Sequence, residues 1–303
     1  MSQTPLIRCR AAIVALVAGL AAGALAIPAA ETAAGTARAA HANAWSTRVA
    51  HIGPSNAEPV KAVAVECPQG TWPYAGGGAV NYEQAGNGGA ALTAIVPNIA
   101  ARAVLVTATA PAGLTANWSL VAFAVCSDNT EPVLVVRKGI GTARAACDDS
   151  TDGLFGVGFH VAGDPAISHI AGVDMNPAVT SVEVTAGGPG GAEAEVTAIA
   201  VCRPGVMSSQ LLHARNDDAG WPKFVSRQDN DETLRPYATG ATVTGPAEAT
   251  LDAIVPAAND GVSWARGTLF GGTPQPAIAA KEGGDDDGDG SVTLETALIG
   301  TFH

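Results

Sequence analysis

The sequence predicts an all-β protein built from three homologous antiparallel units of about four strands each. Apolar and polar residues alternate with a period of two along most of the chain, which is the spacing of half-buried strands. After residue 42 no segment has convincing helical spacing. A segment framed by two cysteines occurs twice, and a third copy follows without them. The units are therefore predicted at residues 43–128, 129–205 and 206–303.

Two disulfide bonds are predicted from the cysteine frames. The predicted pairs are Cys67 with Cys126 and Cys147 with Cys202. Closing such long loops stabilises a folded chain by about 4 kcal/mol for each bond. Each bond is expected to join the first strand of its unit to the last, so that the opening and closing segments of a unit lie side by side.

The third copy carries neither cysteine. When Tyr74, Leu154 and Tyr237 are aligned, Asn230 takes the place of the opening cysteine, and aligning the closing strands puts Gly300 at the other position. Paired loss is expected if the two sulfurs of a copy bond each other, because a single survivor would be reactive. A small unit without a disulfide is marginal alone. This favours a compact pseudo-threefold, β-prism-like arrangement over the alternative of tandem small sandwiches.

Residues 1–42 have the layout of a secretory signal peptide and leader. Arginines precede an apolar run at 11–26, and small-residue sites of the A-x-A type end at residues 26 and 42. The run is shorter than the roughly 20 residues that span a bilayer. We therefore predict a secreted or extracellular protein with no membrane span after signal cleavage. Cys9 leaves with the signal, and four cysteines remain in an oxidising compartment.

The strands of each unit are predicted from alternating segments bounded by Gly, Pro or Asn. In unit 1 they cover 59–66, 91–96, 103–108 and 118–125. In unit 2 they cover 155–161, 166–173, 181–186 and 194–201. In unit 3 they cover 237–243, 249–255, 262–268 and 291–299. The last strand of each unit is almost entirely apolar, which predicts a central strand covered on both faces.

Two glycine-rich stretches are given structural interpretations. The glycines at 76–78 lie inside a strand-like segment, which predicts a bulge or the close approach of another backbone. The stretch at 187–191 lies between two predicted strands and is interpreted as a hairpin connection.

The charge balance argues against nucleic acid as a partner. The formal net charge is -12 at pH 7, and no cluster of Lys and Arg is present to neutralise phosphates. An acidic chain repels an acidic polymer, so partners of that kind are not expected.

An acidic stretch in unit 3 is the candidate metal site. Asp285, Asp287 and Asp289 alternate, and Gly290 stands at the sixth position, as in calcium loops. The twelfth position, where a bidentate Glu is needed, is Thr296. We favour a solvated acidic hairpin tip over a weak calcium site, and no other cofactor is predicted.

Three tryptophans offer surfaces that could stack on a sugar or a peptide: Trp72, Trp118 and Trp264. Trp118 lies on an alternating strand and is predicted to be core. Trp72, with Tyr74 in the turn after the first frame cysteine, is the predicted ligand contact.

A carboxylate-dependent hydrolase is the competing class. Asp149 and Asp152 could act together with His160, provided that the fold brings them within reach of one another. These residues lie near an apparent turn where Asp is common for local hydrogen bonding, and the six histidines have no metal-binding spacing.

The first unit contains a distinctive motif set, CP-x-G-x-x-x-x-x-GGG, then L-T-x-x-x-P, then W-x-L-x-x-x-A-V-C. Its residues are Cys67, Pro68, Gly70, 76–78, Leu92, Thr93, Pro97, Trp118, Leu120, Ala124, Val125 and Cys126. The set resembles an uncharacterised repeat domain of secreted proteins from high-GC Gram-positive bacteria. The resemblance implies an extracellular, non-enzymatic module and carries no ligand with it.

The leading functional hypothesis is a secreted or cell-surface structural or binding protein without catalytic activity. Its partner would be a cell-surface glycan or protein. The alternatives are an extracellular hydrolase and a calcium-dependent adhesion module.

Overall fold

The computed structural model describes residues 46–82, 89–128, 130–147, 152–164, 168–204, 206–218, 220–228, 235–257, 262–270 and 290–301. Within them the chain forms eighteen β-strands and one short 3-10 turn, which confirms the all-β class. Ala40–His303 form one compact unit.

Six strands fall within each predicted unit. Unit 1 has β1 Thr47–Ile52, β2 Val60–Glu66, β3 Trp72–Tyr82, β4 Ala91–Asn98, β5 Ala103–Thr109 and β6 Trp118–Ser127. Unit 2 has β7 Val133–Ile140, β8 Thr142–Ala146, β9 Asp152–Val161, β10 His169–Met175, β11 Ser181–Gly187 and β12 Glu195–Pro204. Unit 3 has β13 Val206–Asn216, β14 Lys223–Gln228, β15 Arg235–Thr244, β16 Ala249–Val255, β17 Val262–Leu269 and β18 Ser291–Thr301.

All twelve predicted strands are present, but the expected count of four per unit was too low. The strands that the sequence did not predict are β1, β3, β7, β8, β13 and β14. All of these except β3 lie at sheet edges, where exposure weakens the apolar alternation. β3 contains the three consecutive glycines, which interrupt its pattern.

The strands form three six-stranded antiparallel sheets that are shared between units. Sheet A has the order β1-β6-β3-β16-β17-β14, sheet B the order β7-β12-β9-β4-β5-β2, and sheet C the order β13-β18-β15-β10-β11-β8. Each sheet takes the first, third and sixth strands of one unit and the second, fourth and fifth strands of another. Every unit therefore contributes to two sheets, and the three sheets close a ring. This excludes tandem sandwiches and confirms the pseudo-threefold arrangement.

The two disulfides are present, and they join different sheets. Cys67 follows β2 of sheet B and is bonded to Cys126 on β6 of sheet A. Cys147 follows β8 of sheet C and is bonded to Cys202 on β12 of sheet B. The pairing was predicted correctly, and the opening segments β3, β9 and β15 do lie beside the closing strands β6, β12 and β18. The sequence did not predict that each sulfur bridge would cross from one sheet to another. The closing strands β6, β12 and β18 each lie between the first and third strands of their own unit, as predicted.

The closing position of the third unit is Leu298 rather than Gly300. The register pairs that define it are Cys126 with Pro73, Cys202 with Leu154 and Leu298 with Pro236. The predicted alignment was therefore displaced by two residues at this end. Asn230, aligned with the opening cysteine, lies outside the described residues.

Three aromatic side chains, one from each unit, pack around the pseudo-threefold axis. Tyr74, Phe155 and Tyr237 are fully buried, and their ring centroids lie 5.0 to 6.1 Å apart. The sequence alignment had placed Leu154 with the two tyrosines, and the structure corrects this by one residue. Edge and tilted contacts of this kind are favourable for aromatic rings.

One glycine is required at the same place in all three sheets. A Cβ atom on Gly77, Gly158 or Gly240 would lie 2.5, 2.6 or 2.2 Å from a carbonyl oxygen of the adjacent fourth strand. These oxygens belong to Ile254, Ile95 and Val173. The prediction that the first glycine run marks a close backbone approach is confirmed at Gly77.

The stretch at 187–191 does not connect a hairpin. β11 belongs to sheet C and β12 to sheet B, so the two strands are not paired. A 3-10 turn at Gly191–Glu193 carries the chain from one sheet to the next. The glycines therefore serve a crossover between sheets.

Candidate functional site

The outer face of each sheet carries a central row of six residues, one from each strand, at equivalent positions. In sheet A the row is Ala50, Phe123, Gly77, Val255, Trp264 and Ser226. In sheet B it is Val136, Ile199, Gly158, Val96, Leu105 and Ala64. In sheet C it is His213, Glu295, Gly240, Asp174, Glu183 and Arg144. The glycine is the residue that all three rows share.

The three rows differ in chemistry although the scaffold beneath them is repeated. The row of sheet A contains aromatic rings, that of sheet B is aliphatic, and that of sheet C is charged. Residues that serve the fold alone, such as the shared glycine, are alike in the three sheets. The fold does not fix the other residues of the rows, so a function that belongs to one sheet alone is expected in them.

Phe123, Trp264 and Phe224 form what we call the aromatic face of sheet A. Phe224 lies on the edge strand β14 and is 51% exposed. Its ring centroid is 5.5 Å from that of Trp264, which is half-buried. Phe123, also half-buried, lies across the sheet on β6. Exposed aromatic surface of this kind is typical of binding sites.

Arg48 adds a cationic group at the margin of the aromatic face. Its guanidinium carbon lies 5.9 Å from the ring centre of Phe123, and its Nη1 donates a hydrogen bond of 3.1 Å to the carbonyl of Pro256. These contacts hold the arginine over the ring, so that the face combines apolar surface with a polar border.

The floor of the aromatic face is rigid. Ala79, Ala253 and Val255 are buried on the strands between Phe123 and Trp264, and both aromatic rings pack against them. Small side chains leave the backbone of β3 close to that of β16. The rings are thus supported by packed strands rather than by loops, which favours a preorganised surface.

A buried ion pair anchors the same part of sheet A. Asp252 lies at the bulge of β16, and Arg266 Nε donates to its two carboxylate oxygens at 2.8 and 3.0 Å. Arg266 Nη2 also donates to the carbonyl of Val80. Burial acts to lower the pKa of Arg266, but the carboxylate of Asp252 outweighs it and raises that pKa, so the guanidinium stays charged. The equivalent pair in sheet B is neutral, since Thr93 Oγ1 and Thr107 Oγ1 lie 2.8 Å apart.

The charged row of sheet C contains two carboxyl groups whose ionised forms are disfavoured by the fold. Glu295 is buried, accepts a hydrogen bond of 2.6 Å from the Met175 N–H, and lies 3.5 Å from His213 Nδ1. Asp174 accepts a hydrogen bond from Thr242 Oγ1. Burial raises the pKa of both carboxyl groups, and the charge of Asp174 raises that of Glu295 further. Both groups therefore hold a proton more tightly in the folded protein than in the unfolded chain.

This row should make stability fall as pH rises. A carboxyl group with a raised folded pKa contributes most stability below its unfolded pKa and loses it as pH rises through the folded pKa. We expect the wild type to lose stability relative to Glu295→Gln as pH rises above the ordinary carboxyl pKa of about 4.3, as measured by urea unfolding. Gln retains an acceptor for the Met175 N–H.

Glu195→Gln is the control, because its effect on stability should depend on pH in the opposite direction. A hydrogen bond and the charge of Lys138 lower the pKa of Glu195, so its ionised form is favoured by folding. The wild type should therefore gain stability relative to Glu195→Gln as pH rises towards the ordinary carboxyl pKa of about 4.3, and the difference should stay level above it. Parallel pH profiles for the two variants would contradict this account of sheet C.

The structure places the two predicted ligand contacts, Trp72 and Tyr74, in different environments. Tyr74 is fully buried and its hydroxyl donates to the carbonyl of Thr130, which removes it as an exposed contact. Trp72 is half-buried, with the guanidinium of Arg102 5.6 Å from its ring centre. Trp118 is fully buried, as predicted.

The hydrolase residues do not converge. Asp152 begins β9 and His160 stands near its other end, eight residues away, which is about 26 Å along a strand. Asp149 lies outside the described residues. Burial lowers the pKa of His160, which keeps that side chain neutral at neutral pH. The grouping of Asp152 with His160 is therefore wrong.

The acidic stretch cannot be placed. Asp285, Asp287 and Asp289 lie outside the described residues, and calcium binding stays a prediction. Among the residues that the structure does describe, no group of three or more His, Cys, Asp or Glu side chains is arranged to hold a metal ion.

Comparison with known proteins gives no family. No protein-family model matches the chain, and a search of curated proteins finds no match. Within the described part of the chain, no helix is long and apolar enough to cross a membrane.

Sequence reasoning identified Trp264 as a stacking surface but missed its partners. Phe123 lies in a nearly all-apolar strand that predicts complete burial, and Phe224 lies in an edge strand that was not predicted. The repeat itself contains the useful signal. Aligning the three units puts Phe123 opposite Ile199 and Glu295, which shows that this position changes between aromatic, aliphatic and acidic side chains.

Proposed function

We propose that the protein is an exported, non-enzymatic binding protein that holds a neutral glycan against the aromatic face of sheet A. The observation that carries the proposal is the Trp264 and Phe224 pair. It stands on a strand-supported surface where sheet B has Leu105 and sheet C has Glu183 at the position of the tryptophan. The scaffold alone does not require an aromatic ring there.

The geometry suits the apolar face of a sugar ring. Two rings 5.5 Å apart with a 37° tilt present a shallow, continuous surface rather than a deep pocket. Ser226, directly opposite Trp264 on the edge strand, offers a hydroxyl beside it. The chain's net charge of -12 disfavours acidic polymers, which supports a neutral ligand.

The export part of the proposal is supported by two features of the chain. The first 42 residues have the layout of a secretory signal, and the two disulfides fit an oxidising compartment. A cell-surface or extracellular glycan would be accessible to a protein in that location.

Trp264→Ala is expected to weaken glycan binding at least tenfold. Truncating an aromatic residue at the centre of a binding surface commonly costs about 2 kcal/mol or more. Retention of the purified protein on insoluble cellulose and chitin, and tryptophan fluorescence on titration with soluble neutral glucans, would measure the effect. Phe224→Ala should act in the same direction.

Glu183→Ala is the matched control, since Glu183 occupies the equivalent position on sheet C. It should leave binding unchanged. The proposal fails if the wild type is retained by none of these polysaccharides, or if Trp264→Ala binds as well as Glu183→Ala does.

A further inference from the structure

We infer that a second copy of this chain docks on the outer face of sheet B, and that the protein is a two-fold symmetric dimer. The starting observation is where the exposed large hydrophobic side chains lie. Among the described residues there are seven, and five of them belong to strands of sheet B: Val60, Leu105, Val133, Val136 and Ile140. The other two, Ile52 and Phe224, belong to sheet A.

Four of the five residues in sheet B point to the same side. Strand register places Val60 and Leu105 on the outer face at one side of the sheet, and Val136 and Ile140 on that face at the other. Inward positions between them, such as Val104 and Val106, belong to the buried core. The exposed apolar groups therefore spread across the whole face instead of clustering at one corner. The apolar residues Ile199, Gly158 and Val96 of the central row lie between the two groups and link them, and contiguous apolar surfaces mark interaction sites.

The charge distribution selects a second copy as the occupant. The central rows of sheets A and B have no charged residue, whereas that of sheet C has carboxylates. Lys138 and Glu195 on the outer face of sheet B pair with each other at 2.6 Å, and His160 is kept neutral by burial. Two chains of net charge -12 repel each other, and an uncharged central row lowers the cost of bringing them together. Of the two sheets with such a row, sheet B is the one that carries most of the exposed aliphatic side chains, while Glu66 stands at its margin at the end of β2.

The size of the face agrees with a small symmetric interface. Six strands spaced about 4.8 Å apart and about seven residues long give a face of about 24 Å by about 23 Å. Two copies would cover about 1,100 Å², near the lower limit of about 1,000 Å² for a specific interface. Face-to-face packing of sheets is a standard solution for such surfaces. A two-fold axis lets the same patch serve both partners.

The shared glycine contributes to the flatness of this face. Gly158 lies at the centre of the sheet B row, where no side chain projects. Its neighbours across the strands are Ile199, which is almost fully buried, and the half-buried Val96. Pro97 and Ile199 fill the space in front of the glycine, so the centre of the face is closed.

Val136→Glu is expected to dissociate the dimer. The substitution puts a carboxylate at a position that is 45% exposed in the single chain and would be enclosed between two sheets. Sedimentation equilibrium of the mature, disulfide-bonded protein over a range of concentrations should give a dimer for the wild type. The variant should give a monomer, or a dissociation constant at least a hundredfold higher.

Ala50→Glu is the matched control, because Ala50 is the equivalent exposed residue on sheet A. It should remain a dimer. Leu105→Glu, on the other side of the sheet B face, should repeat the effect of Val136→Glu, and a single cooperative thermal transition would show that each variant is folded. A wild type that stays monomeric up to millimolar concentration overturns the inference. So does a folded Val136→Glu variant that dimerises like the wild type.

This inference is independent of glycan binding. Sheet A and sheet B are different faces, so a dimer through sheet B leaves the aromatic face of each copy uncovered. Loss of association in Val136→Glu with unchanged affinity for each glycan site would separate the two properties.

Discussion

Replacing Asp252 with alanine is expected to destabilise the protein by about 3–5 kcal/mol, the usual result of removing one partner from a buried ion pair. The Asp252 side chain is 1% exposed and that of Arg266 is 24% exposed. Without the carboxylate, the guanidinium would keep its hydrogen bond to Val80 but would lose both bonds to Asp252. A buried cation with unmet donors is among the most costly defects in a folded protein.

The repeat provides the matched control for this prediction. Because Thr93 and Thr107 occupy the equivalent positions in sheet B and bond to each other, the double variant Asp252→Thr/Arg266→Thr should restore a neutral pair. We expect it to be more stable than Asp252→Ala or Arg266→Ala alone. Urea unfolding of Asp252→Thr, Arg266→Thr and the double variant gives the coupling energy directly.

Additive losses would contradict this account. If the double variant lost the sum of the two single losses, the residues would not act as a pair. A loss below about 1 kcal/mol for Asp252→Ala would mean that the pair behaves like an exposed salt bridge.

The strands that sequence patterning identified are the ones with the clearest burial. β6 and β12 lie between two other strands, so their continuous apolar character has a single interpretation. Edge strands such as β7 and β13 have mixed exposure, and the period-two signal is lost in them. The cysteine pairing was also predictable, because joint loss in the third copy links the two positions without any knowledge of their geometry.

The sharing of strands between units was not predictable from the pattern. The fourth strand of each unit pairs with the third strand of a different unit, as β4 does with β9 and β16 with β3. Since the three units have the same alternation and similar strand lengths, pairing within a unit and pairing between units satisfy the same local rules. Closure of the ring selects between them, and closure is a property of the whole chain.

The candidate site residues also divide into those that the local sequence identifies and those that only the complete fold brings together. Trp264 could be identified from its residue type, but the face that it shares with Phe224 exists only once β17 and β14 are paired. Tyr74 was misassigned because its neighbours Trp72 and Pro73 suggested a turn. The structure instead has a bulge there, which directs the tyrosine ring to the axis.

Removing the disulfide between Cys67 and Cys126 is expected to destabilise the whole protein in one step. Both sulfurs are buried, so Cys67→Ala/Cys126→Ala is the appropriate substitution, since serine would bury unpaired hydroxyl groups. The bond closes a loop of 59 residues, and its loss should lower the free energy of unfolding by about 4 kcal/mol. Denaturant unfolding followed by fluorescence and by circular dichroism measures both the size of the loss and the number of transitions.

The number of transitions is the decisive result, because the bond joins sheet A to sheet B and each of these sheets contains strands of two units. Loosening this junction exposes parts of all three units, so the two probes should report one coincident transition at lower denaturant. Cys147→Ala/Cys202→Ala, with a loop of 55 residues at the next junction, should behave almost identically. Separate transitions in either variant, with one unit unfolding while the others persist, would be incompatible with sheets shared between units.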